Sequence, residues 1–191
     1  MVRAFVLLAL GGAEPSSHAP CRVLYSRTFG DPPGNAPGSP SRQRLRRKEQ
    51  LLAVARQVSS QCWLLQTSSG RPLSPQIPQL PDEPISLQDA LGGLFQLPPG
   101  DPFPTGVTVA WLSVLAIAFA LVCDHHENLS LAQITLRRLA PRLLLSLRLL
   151  GPGADVLLRP EVTDALLDRF LPHGEMLFLN ERILQAVDRE L

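Results

Sequence analysis

A chain of 191 residues is long enough to form one domain with a substantial buried core. Its 18 basic and 17 acidic side chains give a formal charge of +1, which excludes a global attraction to nucleic acid or to an anionic bilayer. The three cysteines, Cys21, Cys62 and Cys123, form an odd set without C-x-x-C spacing, which favours reduced cytosolic thiols over a secreted disulfide framework. We therefore expect a single cytoplasmic domain over residues 1–191.

The first residues, MVRAFVLLALGGAEPSSHA, imitate a secretory signal peptide. Arg3 precedes an apolar run from Ala4 to Leu10, and small residues follow up to Ala13. Because the apolar run is only seven residues long and has a single preceding cation, an uncleaved first β-strand is the favoured interpretation. The segment CRVLYSRTFG predicts a second strand over residues 22–29. A cleaved secretory leader stays as the alternative.

Two proline-rich regions are predicted to be disordered or extended loops. Residues 30–41 hold four prolines and three glycines in twelve positions, and residues 67–104 hold nine prolines. The PxxP-like spacing in the second region could bind an SH3 or WW module, but a loop that joins two strands is the favoured interpretation. Within that region only GLFQLP, residues 93–98, predicts a short strand.

Between these loops, RQRLRRKEQLLAVARQVSSQ (residues 42–61) predicts a helix. Leu45, Leu52, Ala55 and Val58 recur at helical spacing, so we expect them to lie on a sheet. The first turns form a basic partner face made of Arg42, Arg44, Arg46, Arg47 and Lys48. These cations oppose the positive end of the helix dipole and suggest an acidic partner. A nuclear or nucleic-acid-associated role is the alternative, which the lack of interleaved aromatic residues disfavours.

The run GVTVAWLSVLAIAFALVC, residues 106–123, contains eighteen consecutive uncharged residues. A helix over residues 107–123 would be about 26 Å long, barely the thickness of a bilayer core. The nearest cations, Arg71 and Arg137, are distant, so no positive-inside signal supports a membrane span. The β-branched and aromatic content predicts two strands with a turn near residues 113–116. Unbroken apolarity then indicates that helices cover both faces of the sheet.

The remainder of the chain predicts helices. SLAQITLRRLAPRLLLSLRLLG begins with a capping box, Ser130 and Gln133, and ends at Gly151, with a kink or break near Pro141. Two shorter helices follow, and their predicted apolar faces are Val162, Leu166, Leu167 and Phe170 in the first, and Ile183, Leu184, Val187 and Leu191 in the second.

Leucines wrap nearly all round the helix that contains Pro141. One domain face does not need so much apolar surface, so we expect another chain to cover part of it, with burial inside its own domain as the alternative. The candidate subunit-interface residues are Leu143, Leu147, Leu149 and Leu150.

No pattern in the sequence predicts catalysis, a cofactor or a metal site. Cys123, His125 and His126 cluster without a fourth ligand at useful spacing, and neither a P-loop nor a G-x-G-x-x-G motif is present. The chain is therefore predicted not to be an enzyme and to have no small-molecule substrate.

Several segments together resemble the sigma subunits of adaptor protein complex 5, a branch of the adaptor small-subunit family. They are MVRAFVLLAL, CRVLYSRTFG, RLRRKEQLLAVARQV, WLSVLAIAFALVCDHHENL and RFLPHGEMLFLN. The resemblance implies a longin-like α/β (α+β) domain, in which a mainly antiparallel sheet of about five strands lies between helices. Cargo binding is not carried over, because the residues of the dileucine pocket of conventional sigma subunits have no recognisable counterparts here.

The resemblance also implies a function and partners. The chain would be the small subunit of a heterotetramer with zeta, beta and mu chains, and spatacsin and spastizin would be coat-like partners. It would lie in the cytoplasm, peripherally on late endosomes and lysosomes, and sort cargo toward the Golgi.

Overall fold

The computed structural model describes residues 1–11, 21–30, 40–68, 87, 90–149 and 159–189. Five strands form one antiparallel sheet in the order β2-β1-β5-β4-β3. They are β1 (Val2–Ala9), β2 (Arg22–Thr28), β3 (Leu91–Leu97), β4 (Val107–Val114) and β5 (Ile117–Asp124). The predicted first strand is confirmed, because β1 lies inside the sheet and pairs with both β2 and β5. The short strand predicted from GLFQLP is confirmed as β3, at one edge.

The apolar run of residues 106–123 folds into the β4–β5 hairpin. The register runs from Val107 opposite Asp124 to Val114 opposite Ile117, and a two-residue turn of Leu115 and Ala116 joins the strands. Residues 107–113 and 117–123 are all buried, so both faces of the hairpin are covered, as the unbroken apolarity predicts. Within the described parts of the chain, every helix is either too short or too polar to cross a bilayer.

Helices cover the two faces of the sheet unequally. One face packs against α1 (Pro40–Ser68), and the other packs against α2 (Leu129–Ser146), α3 (Pro160–Phe170) and α4 (Glu181–Arg189). Alternate residues of β1 divide between them, since Val6 and Leu8 face α1 while Phe5 and Leu7 face the other layer. This sandwich confirms the predicted longin-like α/β architecture.

The first helix is longer than predicted, and its buried face is different. It begins at Pro40 and ends at Ser68, so the ends of both predicted loops are helical; residues 31–39 and 69–86 lie outside the described part of the chain. Val54, Ala55, Val58 and Cys62 face the sheet, whereas Leu45 and Leu52 are 58% and 37% exposed. The prediction that these two leucines lie on the sheet was therefore wrong. Leu45 lies in a stretch, residues 41–49, whose side chains are all exposed. Leu52 lies about 100° around the helix from the buried face.

The start of α2 also differs from the prediction. Asn128 is the N-cap, and its side-chain oxygen accepts a hydrogen bond from the backbone N–H of Leu131 (3.1 Å). The predicted capping box was wrong, because Ser130 already lies in the first helical turn.

Of the kink or break predicted near Pro141, the break was wrong, since α2 continues through the proline to Ser146. Packing of the buried Ala140, Leu143 and Leu144 compensates for the one missing backbone hydrogen bond. The predicted end at Gly151 lies outside the described residues.

The last two helices agree with their predicted apolar faces in most positions. In α3 the predicted Leu166, Leu167 and Phe170 are buried, together with Thr163, and Val162 is half-buried. In α4 Leu184 is buried but Ile183 is 44% exposed. The side chains of Val187 and Leu191 lie outside the described part of the chain.

Candidate subunit interfaces

The leucines predicted to contact another chain are buried within their own domain. Leu143 and Leu147 are 0% exposed and Leu149 is 6% exposed, all in the core between the sheet and the helices. The helix that carries Leu143 is covered on one side by β4 and β5 and on another by α3, so its own domain satisfies most of its apolar surface. These three side chains therefore do not fit the predicted interface, and Leu150 lies outside the described residues.

The solvent-facing side of the same helix carries different residues. Ile134 and Leu145 are 42% and 59% exposed and lie eleven residues apart, which places them on one side of α2. Arg137 and Arg138 accompany them on α2, Arg148 is exposed in the turn that follows the helix, and α2 has no acidic residue. We call this surface the α2 outer stripe. It is both apolar and basic, as expected of a surface that meets an acidic partner.

A second exposed apolar surface lies between α3 and α4, in a segment that is firmly attached to the domain. Gly174 is buried with φ of +82°, and a Cβ atom there would lie 2.5 Å from the Val2 carbonyl oxygen and from Phe29 Cβ. Only glycine fits this close approach. Further along, Leu179 and Leu184 insert into the core at 4% and 5% exposure.

Between these attachment points the backbone displays Phe178. The Leu179 N–H donates to the Leu177 carbonyl oxygen (3.0 Å), which closes a three-residue turn with Phe178 at its centre. Phe178 is 79% exposed, Leu177 is 40% exposed and Ile183 is 44% exposed. Asn180 then caps α4, because its side-chain oxygen accepts from the Ile183 N–H (2.9 Å). We call residues 177–183 the Phe178 segment.

The predicted basic partner face lies at the surface as an intact group. Arg42, Arg44, Arg46, Arg47 and Lys48 are all exposed, and they lie on the first turns of α1. Arg46 Nε donates to the Pro102 carbonyl oxygen (3.2 Å), which also accepts from Gln50 Nε2 (2.9 Å). The structure therefore brings together all five residues that the sequence analysis grouped.

A polar cluster that the sequence did not reveal fastens the edge strand β2 to α3. The Tyr25 hydroxyl donates to Asp164 Oδ1 (2.5 Å), and Arg27 contacts both Asp164 (3.3 Å) and Asp168 (2.5 Å). Burial, followed by the hydrogen bond to Asp164, raises the pKa of Tyr25 above its ordinary value. The phenol therefore stays a neutral donor at physiological pH, so this cluster holds the edge of the sheet in place.

Cys123, His125 and His126 are close in sequence but lie in different environments. Cys123 is fully buried, and burial raises its pKa to about 12, so the thiol stays protonated at neutral pH. His125 and His126 are exposed in the turn that follows β5. Among the described residues no three His, Cys, Asp or Glu side chains come close enough to hold a metal ion.

Sequence reasoning missed the residues that the structure now makes the best interface candidates. Helical periodicity counts Ile134 and Leu145 among many apolar residues and cannot identify the few that face outward. In MLFLN, Phe178 lies between two leucines, and only the three-residue turn shows that it points to solvent. The available signal was an aromatic residue that follows the turn residues Pro172 and Gly174 by four to six positions.

Comparisons with known proteins give the same family name at each match. A family model described as AP-5 complex subunit sigma-1 matches residues 1–191. The human AP-5 complex subunit sigma-1 is 48% identical over 193 residues, covering 100% of this chain and 96% of the human protein. The mouse AP-5 complex subunit sigma-1 is 48% identical over 158 residues, covering 81% of this chain and 93% of the mouse protein.

Proposed function

Since this chain belongs to the AP-5 complex subunit sigma-1 family, we propose that it is a non-enzymatic small subunit of a heterotetrameric adaptor complex in endosomal vesicle transport. In this proposal one longin-like domain over residues 1–191 assembles with zeta, beta and mu chains, and spatacsin and spastizin act as coat-like partners. The complex works peripherally on late endosomes and lysosomes and sorts cargo toward the Golgi. The chain contributes binding surfaces rather than chemistry.

The observation that carries the scaffolding role is the exposed and rigidly presented Phe178. A phenylalanine on a flexible tail would lose conformational entropy on binding, but this one already lies in a closed turn between the buried Gly174 and the buried Leu179. Aromatic side chains bury roughly 150–250 Å² and are frequent interface hot spots. We assign the Phe178 segment to the contact with a large subunit.

The helical layer remains part of the proposed interface, but through other residues than those predicted. The α2 outer stripe replaces the buried leucines, because Ile134 and Leu145 are exposed and flanked by arginines. An acidic and apolar helix of a large subunit would complement both features of the stripe.

The test is co-purification of the tagged full-length chain with the large adaptor subunits. We expect Phe178→Asp to reduce their recovery at least about tenfold, since losing a central aromatic anchor costs roughly 2 kcal/mol or more. Its thermal unfolding temperature should stay unchanged, because a 79% exposed side chain contributes little to the core.

The matched control is Leu115→Asp, which places the same charge on another exposed apolar side chain. Leu115 is 51% exposed in the β4–β5 turn with φ of +53°, a conformation that aspartate tolerates better than leucine. This variant should recover large subunits normally. Normal recovery with Phe178→Asp would remove the segment from the interface. Failure of the unaltered chain to recover any adaptor subunit would overturn the function itself.

A further inference from the structure

The two ends of α1 extend beyond the sandwich that holds its middle. The helix of 29 residues is about 43 Å long. Side chains face the sheet only between Leu51 and Cys62, whereas residues 41–49 and 63–65 are exposed. A sheet needs only the central part of this helix for packing, so the exposed length requires a different explanation.

Three exposed apolar residues form a straight line along α1. Leu45, Leu52 and Trp63 are 58%, 37% and 58% exposed. They are separated by seven and eleven residues, close to two and three full helical turns, so they lie on one side of the helix. This line is about 27 Å long and lies roughly 100° around the helix from the face packed on the sheet. We call it the α1 stripe.

Cations border this line from its start to Arg56, and the segment of α1 around Trp63 carries none. Arg42, Lys48 and Arg56 each lie three or four residues from a member of the stripe, and all three are exposed. Arg44, Arg46 and Arg47 add charge at the extended end, and Glu49 is the acidic residue of α1. The first turn of the helix contains no acidic residue, so no acidic side chain in that turn offsets the cations at the positive end of the helix dipole. A dense anionic partner would supply that compensation.

We propose that the α1 stripe lies directly on an anionic phospholipid bilayer. Leu45, Leu52 and Trp63 would enter the boundary between headgroups and acyl chains, while the flanking cations contact lipid phosphates. Basic residues contact anionic headgroups, and leucine and tryptophan side chains enter the membrane interface. The contact would be made by this chain itself, in addition to any contact that the rest of a complex makes.

The arrangement favours a lipid surface over a protein or a nucleic acid. Protein interfaces concentrate their energy in a contiguous, desolvated apolar centre. Along α1, Leu45 and Leu52 are instead flanked by cations, and they lie apart from the exposed apolar end formed by Trp63, Leu64 and Leu65. Nucleic-acid grooves that bind single strands use several aromatic residues for base stacking, and the described part of α1 has only Trp63. A flat bilayer can reach all three apolar residues at once.

Trp63 provides a direct measurement. The full-length chain is mixed with vesicles of pure phosphatidylcholine or with vesicles that also contain about 20% phosphatidylserine. We expect sedimentation only with the anionic vesicles, together with a shift of tryptophan emission to shorter wavelength and weaker quenching by acrylamide. Trp111 is 3% exposed and already buried, so these changes report on Trp63, which is 58% exposed.

Matched charge variants test which surface binds. Each cation near an anionic surface contributes roughly fivefold, so replacing Arg42, Lys48 and Arg56 with Gln should lower the partition coefficient on the order of 100-fold. Replacing the exposed Arg22, Arg182 and Arg189 with Gln removes the same charge elsewhere and should change it less than about threefold. Circular dichroism and thermal unfolding confirm that both variants fold.

Three results would overturn the proposal. Equal losses in the two triple variants would mean that only net charge matters. Sedimentation without a shift in Trp63 emission would mean adsorption that does not involve the stripe. Binding to a DNA duplex or to polyglutamate, with the same dependence on Arg42, Lys48 and Arg56 but without vesicle binding, would assign the stripe to nucleic acid or to an acidic protein. Recovery of adaptor subunits is measured separately, so either proposal can fail alone.

Discussion

The two faces of the sheet are covered in different ways. On one face three helices, α2, α3 and α4, enclose the larger core, which contains Phe5, Phe119 and Phe170. On the other face α1 alone covers a smaller core of mostly shorter side chains, such as Val54, Ala55 and Val58. In the larger layer, the sheet and the three helices bury most of one another's apolar side chains. The single helix α1, by contrast, has exposed side chains at both its ends. The α2–α4 face therefore holds the larger core, yet both layers keep exposed apolar residues: Ile134, Leu145 and Phe178 on one side, and Leu45, Leu52 and Trp63 on the other.

The largest expected effect distinguishes buried from exposed leucines on α2. Leu143→Ala should lower the free energy of unfolding by about 3 kcal/mol, because it leaves a cavity at a fully buried site. Leu145→Ala, two residues away and 59% exposed, should change it by less than about 0.5 kcal/mol. Denaturant unfolding of both variants measures the difference. Similar losses of stability at the two positions would mean that Leu143 is no better packed inside the domain than Leu145.

Each face of the sheet covers one buried cysteine, and the expected effect of these two thiols on stability at alkaline pH is of intermediate size. Burial raises the pKa of Cys62, on the α1 face, to about 11, and that of Cys123, on the opposite face, to about 12, from an ordinary value of 9.0. Above pH 9 the unfolded thiol loses its proton while the folded thiol keeps it. Stability that is fully present below pH 9 is therefore lost as pH rises toward the folded pKa, at about 1.4 kcal/mol per thiol by pH 10.

The measurement is the free energy of unfolding at about pH 8 and pH 10 for the natural chain and for Cys62→Ala and Cys123→Ala. Each substitution should remove about 1.4 kcal/mol of the alkaline loss while shifting the pH 8 value by its own cavity cost. If Cys62→Ala removes clearly less than Cys123→Ala, the lone helix α1 opens locally before the other layer does. Identical pH dependence in all three chains would mean that neither thiol is protected by burial.

The sequence was sufficient to predict most of the sheet and little of the interface. Successive side chains of a strand point to opposite faces of the sheet. A strand buried on both faces is therefore apolar throughout, and β4 and β5 could be predicted from the composition of residues 106–123. The basic group Arg42 to Lys48 was predictable because neighbouring charges on a helix start stay together whatever the fold. The exposure of the residues around this group could not be predicted, because helical periodicity does not show which part of the helix the sheet covers.

The interface residues needed tertiary information. Leu143 and Leu145 have the same chemistry and are two positions apart, and only the placement of α2 against β4, β5 and α3 decides which is buried. Phe178 depends on a single hydrogen bond between its neighbours and on the close approach of Gly174 to β1. Neither contact has a counterpart in local sequence patterns.

The smallest expected effect concerns how the helices on the two faces begin. Asn128 caps α2 with a side-chain hydrogen bond, whereas the first turn of α1 contains no acidic residue. Asn128→Ala should lower the free energy of unfolding by about 1 kcal/mol, because it leaves the Leu131 N–H without its acceptor. Ser130→Ala, the control at the position that the sequence pattern favoured, should change it by less than about 0.5 kcal/mol, since Ser130 is exposed inside the first turn. If the serine variant is the more damaging of the two, the helix begins one residue or more later than Leu129, and the contrast between a capped α2 and an uncompensated α1 disappears.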